Sequence, residues 1–171
     1  MTKYYSFLLS FFSFFFLLTF FTLNTISAQT TSITRSDQVT TEEDLQAFAE
    51  NIEILNEKIE DVTATTNPDG STEISVSYVL PGRFLGLFPA NLKIINTVYS
   101  TPADVPEVNT SPSFWSGLVS SGNTTNIDYS SIETRIKNNQ VVLNETKVNA
   151  TPQAKARVIE AVVSELNKLE L

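Results

Sequence analysis

The stretch TEISVSYVLPGRFLGLFPANLKIINTVYS, Thr72 to Ser100, contains two segments in which apolar and polar side chains alternate. Thr72–Leu80 has apolar residues at alternate positions along one face, from Ile74 to Leu80, and Asn91–Ser100 is rich in β-favouring residues with an apolar face. A period of two is typical of a strand with one buried face. Because the two segments follow one another, they predict an antiparallel pair joined by a long connection.

The connection itself, Leu80–Asn91, is unusually apolar for a link between strands. Its centre, RFLGLF, has Arg83 as its only polar residue. Three interpretations are open: Phe84, Leu87 and Phe88 plug one end of the core, or they form an exposed docking patch for another protein, or they dip into a membrane surface. We expect the first, because few other aromatic residues remain to fill a core once the N-terminal segment is set aside.

The docking interpretation defines a set of candidate interaction residues on this connection and on a second apolar island. They are Arg83, Phe84, Leu87, Phe88 and Trp115. The island SFWSGLV, residues 113–119, interrupts a stretch, 101–126, that is rich in Pro, Ser, Thr and Asn and is therefore predicted to be irregular. We expect the island to form a short strand. Its tryptophan either anchors the irregular stretch onto the core or lines a binding groove.

Upstream of the pair, residues 41–62 have the pattern of an amphipathic helix. Thr40 and Glu43 have the spacing of a capping box, and acidic residues lie at the positive end of the helix dipole. Apolar residues recur at steps of three and four: Leu45, Phe48, Ile52, Leu55, Ile59 and Val62. The stripe either packs on the protein's own sheet, which we expect, or forms the seam of a homodimeric coiled coil.

Three further elements follow the irregular stretch. Residues 128–138 predict a short helix with Ser130 and Glu133 as its cap, and residues 140–148 predict a third or fourth strand. A second long amphipathic helix is predicted over 152–169. Elements in this order, without regular βαβ alternation, predict an α+β fold: a small antiparallel sheet of three to four strands covered by N-terminal and C-terminal amphipathic helices.

Residues 1–28 have the layout of a secretory signal peptide. Lys3 precedes a 17-residue apolar run, and small residues lead to a cleavage site after Ala28. The alternative is an uncleaved membrane anchor, but Ser and Thr interrupt the run and it is short for a permanent span. The polar residues 29–40 then predict a flexible leader, and residues 41–171 predict a single domain.

Charge and residue types exclude several classes of function. The chain has 11 basic and 19 acidic residues, and removal of Lys3 by cleavage leaves a net charge of −9. Such a field repels nucleic acid and anionic lipids, so we expect no nucleic-acid binding and no membrane contact after cleavage. The absence of Cys excludes disulfides and cysteine-ligated zinc, and in an exported protein it favours a bacterial periplasm or surface.

No catalytic machinery is recognisable in the chain. It contains no His and no Cys, and its glycines form no phosphate-binding loop, so we expect no enzyme activity, no cofactor and no metal site. A carboxylate pair of the kind used in glycoside hydrolysis stays open as a catalytic alternative. Its candidates lie outside the predicted helices: Glu73, Asp104, Glu107 and Asp128.

Together these patterns predict an exported, periplasmic or extracellular, non-catalytic interaction or scaffold module that docks another envelope or extracellular protein through its apolar connection. Two alternatives stay open. One is a small-ligand or carbohydrate binder built around Trp115, and the other is a structural oligomer joined through residues 41–62. In a eukaryote, four sequons would be surface glycan acceptors: Asn109, Asn123, Asn144 and Asn149.

Overall fold

The computed structural model describes residues 32–103, 105–120 and 127–169. From residue 32 onward, these residues form one compact unit. The predicted signal peptide, its cleavage site after Ala28 and the sequon at Asn123 lie outside the described residues, so those three predictions stay predictions.

Five antiparallel strands form a single sheet within the described residues. They are β1 (Ile59–Thr66), β2 (Thr72–Phe84), β3 (Phe88–Tyr99), β4 (Glu107–Pro112) and β5 (Val119–Ser120). β1 to β4 lie side by side in chain order, and β5 pairs with the far end of β2. The predicted antiparallel pair is confirmed, whereas β4 is a strand that the Pro- and Ser-rich composition around it conceals.

Four α-helices and two 3₁₀ helices complete the described fold. The α-helices are α1 (Glu42–Leu55), α2 (Tyr129–Lys137), α3 (Gln140–Glu145) and α4 (Pro152–Asn167), and the 3₁₀ helices are Ser36–Gln38 and Phe114–Leu118. α1 and α4 contact each other and β1, α4 also contacts β2, and α2 contacts β4. The α+β class is confirmed, with an N-terminal and a C-terminal helix packed against an antiparallel sheet.

The core lies between these helices and one face of the sheet. The strand residues that face it are the alternating apolar positions of the two central strands: Ile74, Val76, Tyr78 and Leu80 on β2, and Leu92, Ile94 and Val98 on β3. α4 buries one whole side against them, and Thr151 caps this helix by accepting a hydrogen bond from the Ala154 amide at 3.2 Å. Burying each such aliphatic side chain contributes about 1.5–3 kcal/mol, so the predicted faces of β2, β3 and α4 carry most of the stability.

One polar side chain, Asn96, lies on the core face of β3 between Ile94 and Val98. It is fully buried, its Nδ2 donates to the carbonyl oxygen of Val76 at 3.4 Å, and its Oδ1 accepts from the Thr110 hydroxyl at 3.1 Å. These bonds join β3 to both neighbouring strands. A slipped register would leave the buried amide without partners, so Asn96 helps to select the observed pairing.

The first helix begins one residue later than its predicted cap. Thr41, not Thr40, is the N-cap residue, and its hydroxyl oxygen accepts from the Asp44 amide at 3.1 Å. The Asp44 carboxylate takes the reciprocal role predicted for Glu43 and accepts from the Thr40 and Thr41 amides. The hydroxyl of Thr40 donates to the same carboxylate, and these bonds lower the pKa of Asp44 to about 2.

The prediction of a helix over 41–62 is wrong in its second half, because α1 ends at Leu55. Ile59 and Val62 lie in β1, and both are buried in the core. Residues three apart in a regular strand point to opposite faces, but the register of β1 shifts between Ile59 and Asp61 and brings both side chains to the core face. A β-bulge therefore reproduced the helical spacing, and the continuous helix that the coiled-coil hypothesis requires is not formed.

The strand predicted over 140–148 is also wrong, because its first six residues form α3. Asn139 begins this helix: its Oδ1 accepts from the Val141 amide at 3.0 Å. α3 packs on α4 and fully buries Val142. The Val-Val-Leu run favours a strand locally, but this preference is weak and the cap and the helix packing outweigh it.

The leader predicted over 29–40 is not a free segment in its described part, residues 32–40. Val39 is fully buried in the core, and the hydroxyl of Ser36 donates to the Glu160 carboxylate of α4. Polar composition concealed these anchoring points, since a single buried side chain in a short segment gives no periodic signal.

Two local predictions in the second half of the chain differ as well. The short strand expected over 113–119 is a 3₁₀ helix that leads into β5. The cap of α2 is Asp128, whose carboxylate accepts from the Ser131 amide at 3.1 Å, rather than the predicted pair Ser130 and Glu133. The first difference changes the type of the element, whereas the second moves only the cap of a helix that was predicted.

Candidate docking site at the hairpin tip

The β2–β3 hairpin extends beyond β1 and β4, its two neighbours in the main sheet. β1 pairs with β2 only as far as Tyr78, and β4 pairs with β3 only as far as Ile94. The hairpin itself continues to the pair Phe84 and Phe88. At about 3.3 Å per strand residue, its last five pairs project roughly 15 Å past the main sheet.

A tight turn joins the two strands, so the prediction of a long connection is wrong. Only Leu85, Gly86 and Leu87 lie between the strands, and the Leu87 amide donates to the Phe84 carbonyl oxygen at 3.0 Å. The φ angles of Leu85 and Gly86 are 50° and 74°. Positive φ at both central residues is the backbone of a type I′ hairpin turn, which glycine adopts freely and leucine does not.

The segment after β4 lies beside this tip. The Leu85 amide donates to the carbonyl oxygen of Leu118 at 2.8 Å, and Val119 and Ser120 pair with Phe84 and Arg83. The 3₁₀ helix Phe114–Leu118, which contains Trp115, is therefore held next to the hairpin tip. The side chain of Trp115 lies outside the described part of the structure, so its predicted contact role stays a prediction.

The tip exposes large apolar side chains to solvent. The exposed fractions are 61% for Leu85, 71% for Leu87, 64% for Phe88, 90% for Phe114 and 43% for Leu118. We call these five residues the tip patch. The expectation that the segment plugs the core is therefore wrong for Leu87 and Phe88, whereas Phe84 is half-buried.

The exposure of the tip has a simple geometric cause. Phe84 and Phe88 are on the core face of their strands, in line with Leu80 and Leu92, which are both buried. The apolar alternation thus continues along the hairpin after the neighbouring strands have ended. Arg83 points to the opposite face and is exposed at the edge of the patch.

The four carboxylates considered for catalysis are not brought together. Glu73 and Glu107 lie on the outer face of the sheet, on either side of Tyr99, with β3 between them. Asp128 caps α2, and Asp104 lies outside the described residues. Within the described ranges, no group of three or more Asp or Glu residues is arranged to hold a metal ion.

Three of the four sequons are on the described surface. Asn109 is exposed on β4, and Asn144 and Asn149 are exposed on α3 and on the turn that follows it. Asn149 has a φ of 54°, and its amide donates to the Gly70 carbonyl oxygen at 2.8 Å. No helix in the described portion of the chain is long and apolar enough to cross a membrane.

A groove between α1 and the edge strand β1 gave no recognisable signal in the sequence. Its volume is about 470 Å³, and its lining comes from one side of α1 and four consecutive residues of β1: Glu42, Leu45, Gln46, Ala49, Glu50, Glu53, Val62, Thr63, Ala64 and Thr65. In the sequence alone, the acidic residues of α1 indicate an ordinary helix face exposed to solvent. Only the packing of α1 beside β1 turns that face into one wall of a groove.

A second depression, of about 510 Å³, lies between α3 and α4. Its charges are paired internally: Arg157 donates to Glu145 at 3.0 Å, and Lys168 donates to Glu165 at 2.8 Å. Burial acts to raise the pKa of Glu165, but hydrogen bonds from Lys168 and Asn139 outweigh it and lower this pKa. Glu160, the third carboxylate of the lining, accepts from the Ser36 hydroxyl, so the depression has one more acidic than basic side chain and ion pairs hold most of its charges.

Comparison of the chain with protein-family models, with curated proteins and with solved structures gives no match, so the tip patch and the groove are interpreted from their own geometry.

Proposed function

We propose that the protein is an exported, non-catalytic interaction module that docks another envelope or extracellular protein through the tip patch. The observation that carries this proposal is the exposure of Leu85, Leu87 and Phe88 at the end of a projecting hairpin. Scattered single apolar residues on a surface are ordinary, whereas a cluster of them on a projecting element is typical of a binding site. Export rests on the signal-peptide layout of residues 1–28.

The shape of the tip suits insertion into a partner's pocket. Phe88 and Phe114 supply two aromatic anchors, and aromatic residues dominate the energetics of protein interfaces. Because β5 adds a third strand beside β2 at the tip, the projection has little freedom to lose on binding, which reduces the entropic cost of docking. Arg83 at the edge offers a polar contact of the kind that surrounds an apolar interface centre.

The first experiment asks whether the tip patch is dispensable for folding. Leu87→Ser combined with Phe88→Ser should change the free energy of unfolding by no more than about 1 kcal/mol, because both side chains are already in solvent. The matched control is Ile54→Ser with Leu55→Ser, which removes two equally exposed apolar side chains at the end of α1. A loss of several kcal/mol in the tip variant would instead identify the tip as part of the core.

The second experiment tests docking itself in the source cells. A photo-crosslinking amino acid at position 87 should give a discrete adduct that excess purified wild-type protein suppresses. The Ser-substituted tip variant should fail to suppress it, whereas the Ile54 and Leu55 control variant should compete like the wild type. Equal competition by both variants would contradict docking through the tip.

A further inference from the structure

β1 is an edge strand whose free side faces the α1–β1 groove. Side chains alternate between the two faces of a strand, so four consecutive residues, Val62 to Thr65, can line one groove only through the strand's edge. Among the described residues, β1 has a strand partner on one side only, namely β2. Its other edge therefore presents backbone amides and carbonyl groups towards the groove.

The edge of β1 is capped at one end and open further along. The Val62 amide donates to Glu53 Oε1 at 2.7 Å, so this amide points away from β2 and towards α1. Backbone groups two residues along a strand point the same way, so the amide and carbonyl of Ala64 also face the groove. The carboxylate of Glu53 occupies the place that a neighbouring strand would take at Val62. At Ala64, the position that a neighbouring strand would take is open space within the groove.

The opposite wall is one continuous side of α1. Glu42, Leu45, Gln46, Ala49, Glu50 and Glu53 follow the helical spacing, and together they run about 16 Å along the helix. Leu45 and Ala49 are buried and form an apolar floor, whereas Gln46 and Glu50 are exposed at the rim. A segment of about four extended residues fits the length of the lining strand.

The lining carries three carboxylates and no Lys or Arg. Glu42 is neutralised from outside the groove, because the Lys155 ammonium donates to it at 2.7 Å. Glu50 accepts a hydrogen bond from the neutral Gln46 side-chain amide, at 3.1 Å. Two negative charges, on Glu50 and Glu53, therefore face a space next to an open strand edge.

We propose that the α1–β1 groove binds an extended basic segment of a partner protein, which adds a strand to β1 through Ala64 and places Lys or Arg side chains against Glu50 and Glu53. In this mode of recognition, main-chain hydrogen bonds supply affinity and the groove selects side chains. This surface lies on the opposite edge of the sheet from β4 and is separate from the tip patch.

A second copy of this chain is a poorer occupant than a basic segment. The exposed end of β1 carries Glu60 and Asp61, and the chain as a whole has a net charge of −8. A second copy would bring its own Glu50 and Glu53 to this interface, and its groove lining offers no Lys or Arg to compensate them. Like charges in such a position oppose association.

The test uses the full chain and a synthetic probe. The probe is a capped seven-residue peptide in which lysine alternates with valine, and the control probe has glutamate in place of lysine. Titration followed by amide NMR shifts should move the signals of residues 46–53 and 62–66 with the lysine probe only. Slower hydrogen exchange at the Ala64 amide should accompany binding, because that amide becomes hydrogen-bonded.

Two kinds of variant separate the charge and the backbone contributions. Glu50→Lys should weaken binding of the lysine probe at least tenfold and favour the glutamate probe, whereas Glu57→Lys, which changes the same charge outside the groove, should leave binding within about twofold. A lysine probe with N-methyl groups on alternate residues should bind at least tenfold more weakly, since it cannot pair with a strand edge.

Specific outcomes would overturn the proposal. Shifts centred on the tip, equal binding of both probes, or identical effects of Glu50→Lys and Glu57→Lys would each show that the groove does not select a basic strand. Concentration-dependent dimerisation that Glu50→Lys strengthens, with no probe binding, would assign the β1 edge to a second copy instead.

Discussion

Leu85 occupies a backbone conformation that suits other residues better. Its φ of 50° costs leucine about 1–2 kcal/mol, and its side chain gains little burial in return because it is largely exposed. Leu85→Asn should therefore raise the free energy of unfolding by about 1 kcal/mol, measured by urea denaturation.

The matched control for this change is Leu87→Asn, at a neighbouring exposed residue that does not have a positive φ. It should be neutral within about 0.5 kcal/mol. If the two substitutions have the same effect, the stabilisation does not come from the turn conformation. A leucine at a position whose backbone favours Asn or Gly supports a role of this side chain in contact rather than in folding.

Lys155 is the most deeply buried charge among the described residues. Its side chain is 2% exposed, and its ammonium donates to Glu42 at the start of α1. Glu42→Gln should lower the free energy of unfolding by about 1–2 kcal/mol, because a buried charge then loses its counterion. Glu43→Gln is the control, since it removes a carboxylate from the same helical turn without affecting Lys155.

Replacement of the lysine itself should be better tolerated than loss of its partner. Lys155→Met keeps most of the side-chain volume and removes the charge that needs compensation, so it should cost less than Glu42→Gln in the same urea titrations. The reverse order would mean that the ion pair, rather than the packing of α4, holds α1 in place.

Asp44 should make the stability of the protein depend on pH below about 4. Its folded-state pKa is lowered to about 2 from a usual value of 3.8, chiefly by the hydrogen bond from the Thr40 hydroxyl. A lowered pKa means that the carboxylate stabilises the fold above pH 4, and that this contribution is lost as the pH falls towards 2. Thr40→Val should raise the pKa of Asp44, as followed by its side-chain carbonyl NMR signal.

A comparison of thermal unfolding between pH 5 and pH 2 completes this test. The wild type should lose more stability over that interval than Asp44→Asn, which keeps a hydrogen-bond acceptor and has no charge to titrate. Parallel pH profiles for the two proteins would contradict the assigned role of Asp44 at the start of α1.

At the scale of elements, the projecting part of the hairpin should be separable from the fold. In the shortened chain, Asn-Gly replaces residues 81–91 and forms a two-residue turn between Leu80 and Leu92, which already pair with each other. The shortened chain should unfold cooperatively, with a free energy of unfolding lowered by about 1–2 kcal/mol because Val119 loses its partner on β2. Calorimetry and far-UV circular dichroism measure this outcome.

Loss of cooperative unfolding in the shortened chain would contradict the separation of tip and core. If the shortened protein folds, it can also serve as a competitor that cannot dock through the tip, because it lacks Leu85, Leu87 and Phe88 together. Its α1–β1 groove is untouched, so it should bind the lysine probe like the wild type.

Elements with a regular period and a well-defined boundary could be predicted from the sequence. The strands around Ile74 and Ile94 each have an apolar core face of period two, and α4 follows a Thr-Pro start, so local chemistry and tertiary packing agree there. Predictions were wrong where the local sequence preference and the tertiary packing disagree. The bulge in β1 gave buried strand residues the spacing of a helical stripe, and the Val-rich start of α3 has the composition of a strand.

The candidate site could be predicted in composition but not in exposure. RFLGLF is conspicuous in the sequence, yet whether Phe88 is core or surface depends on how far β1, β4 and the helices extend along the hairpin. The α1–β1 groove was beyond prediction for a related reason. No sequence pattern links Glu50 with Ala64. They line the same groove only because α1 packs beside an edge strand.

At the scale of the whole molecule, the two long helices link the early and late parts of the described domain. α4, the last described element, packs on α1 and on the central sheet, and it contributes fully buried residues such as Val158, Ile159 and Val162. Contacts between residues separated by more than a hundred positions carry a large loop-closure entropy and slow folding.

The position of α4 therefore has a consequence for biosynthesis. While the chain emerges from the ribosome, β1 to β4 can pair in order, but the core face of Ile74 and Ile94 has no cover until residues 152–167 have been made. A chain that ends before Pro152 should bind hydrophobic dyes and chaperones and unfold without a cooperative transition. The core face of the nascent sheet thus stays open until α4 has left the ribosome.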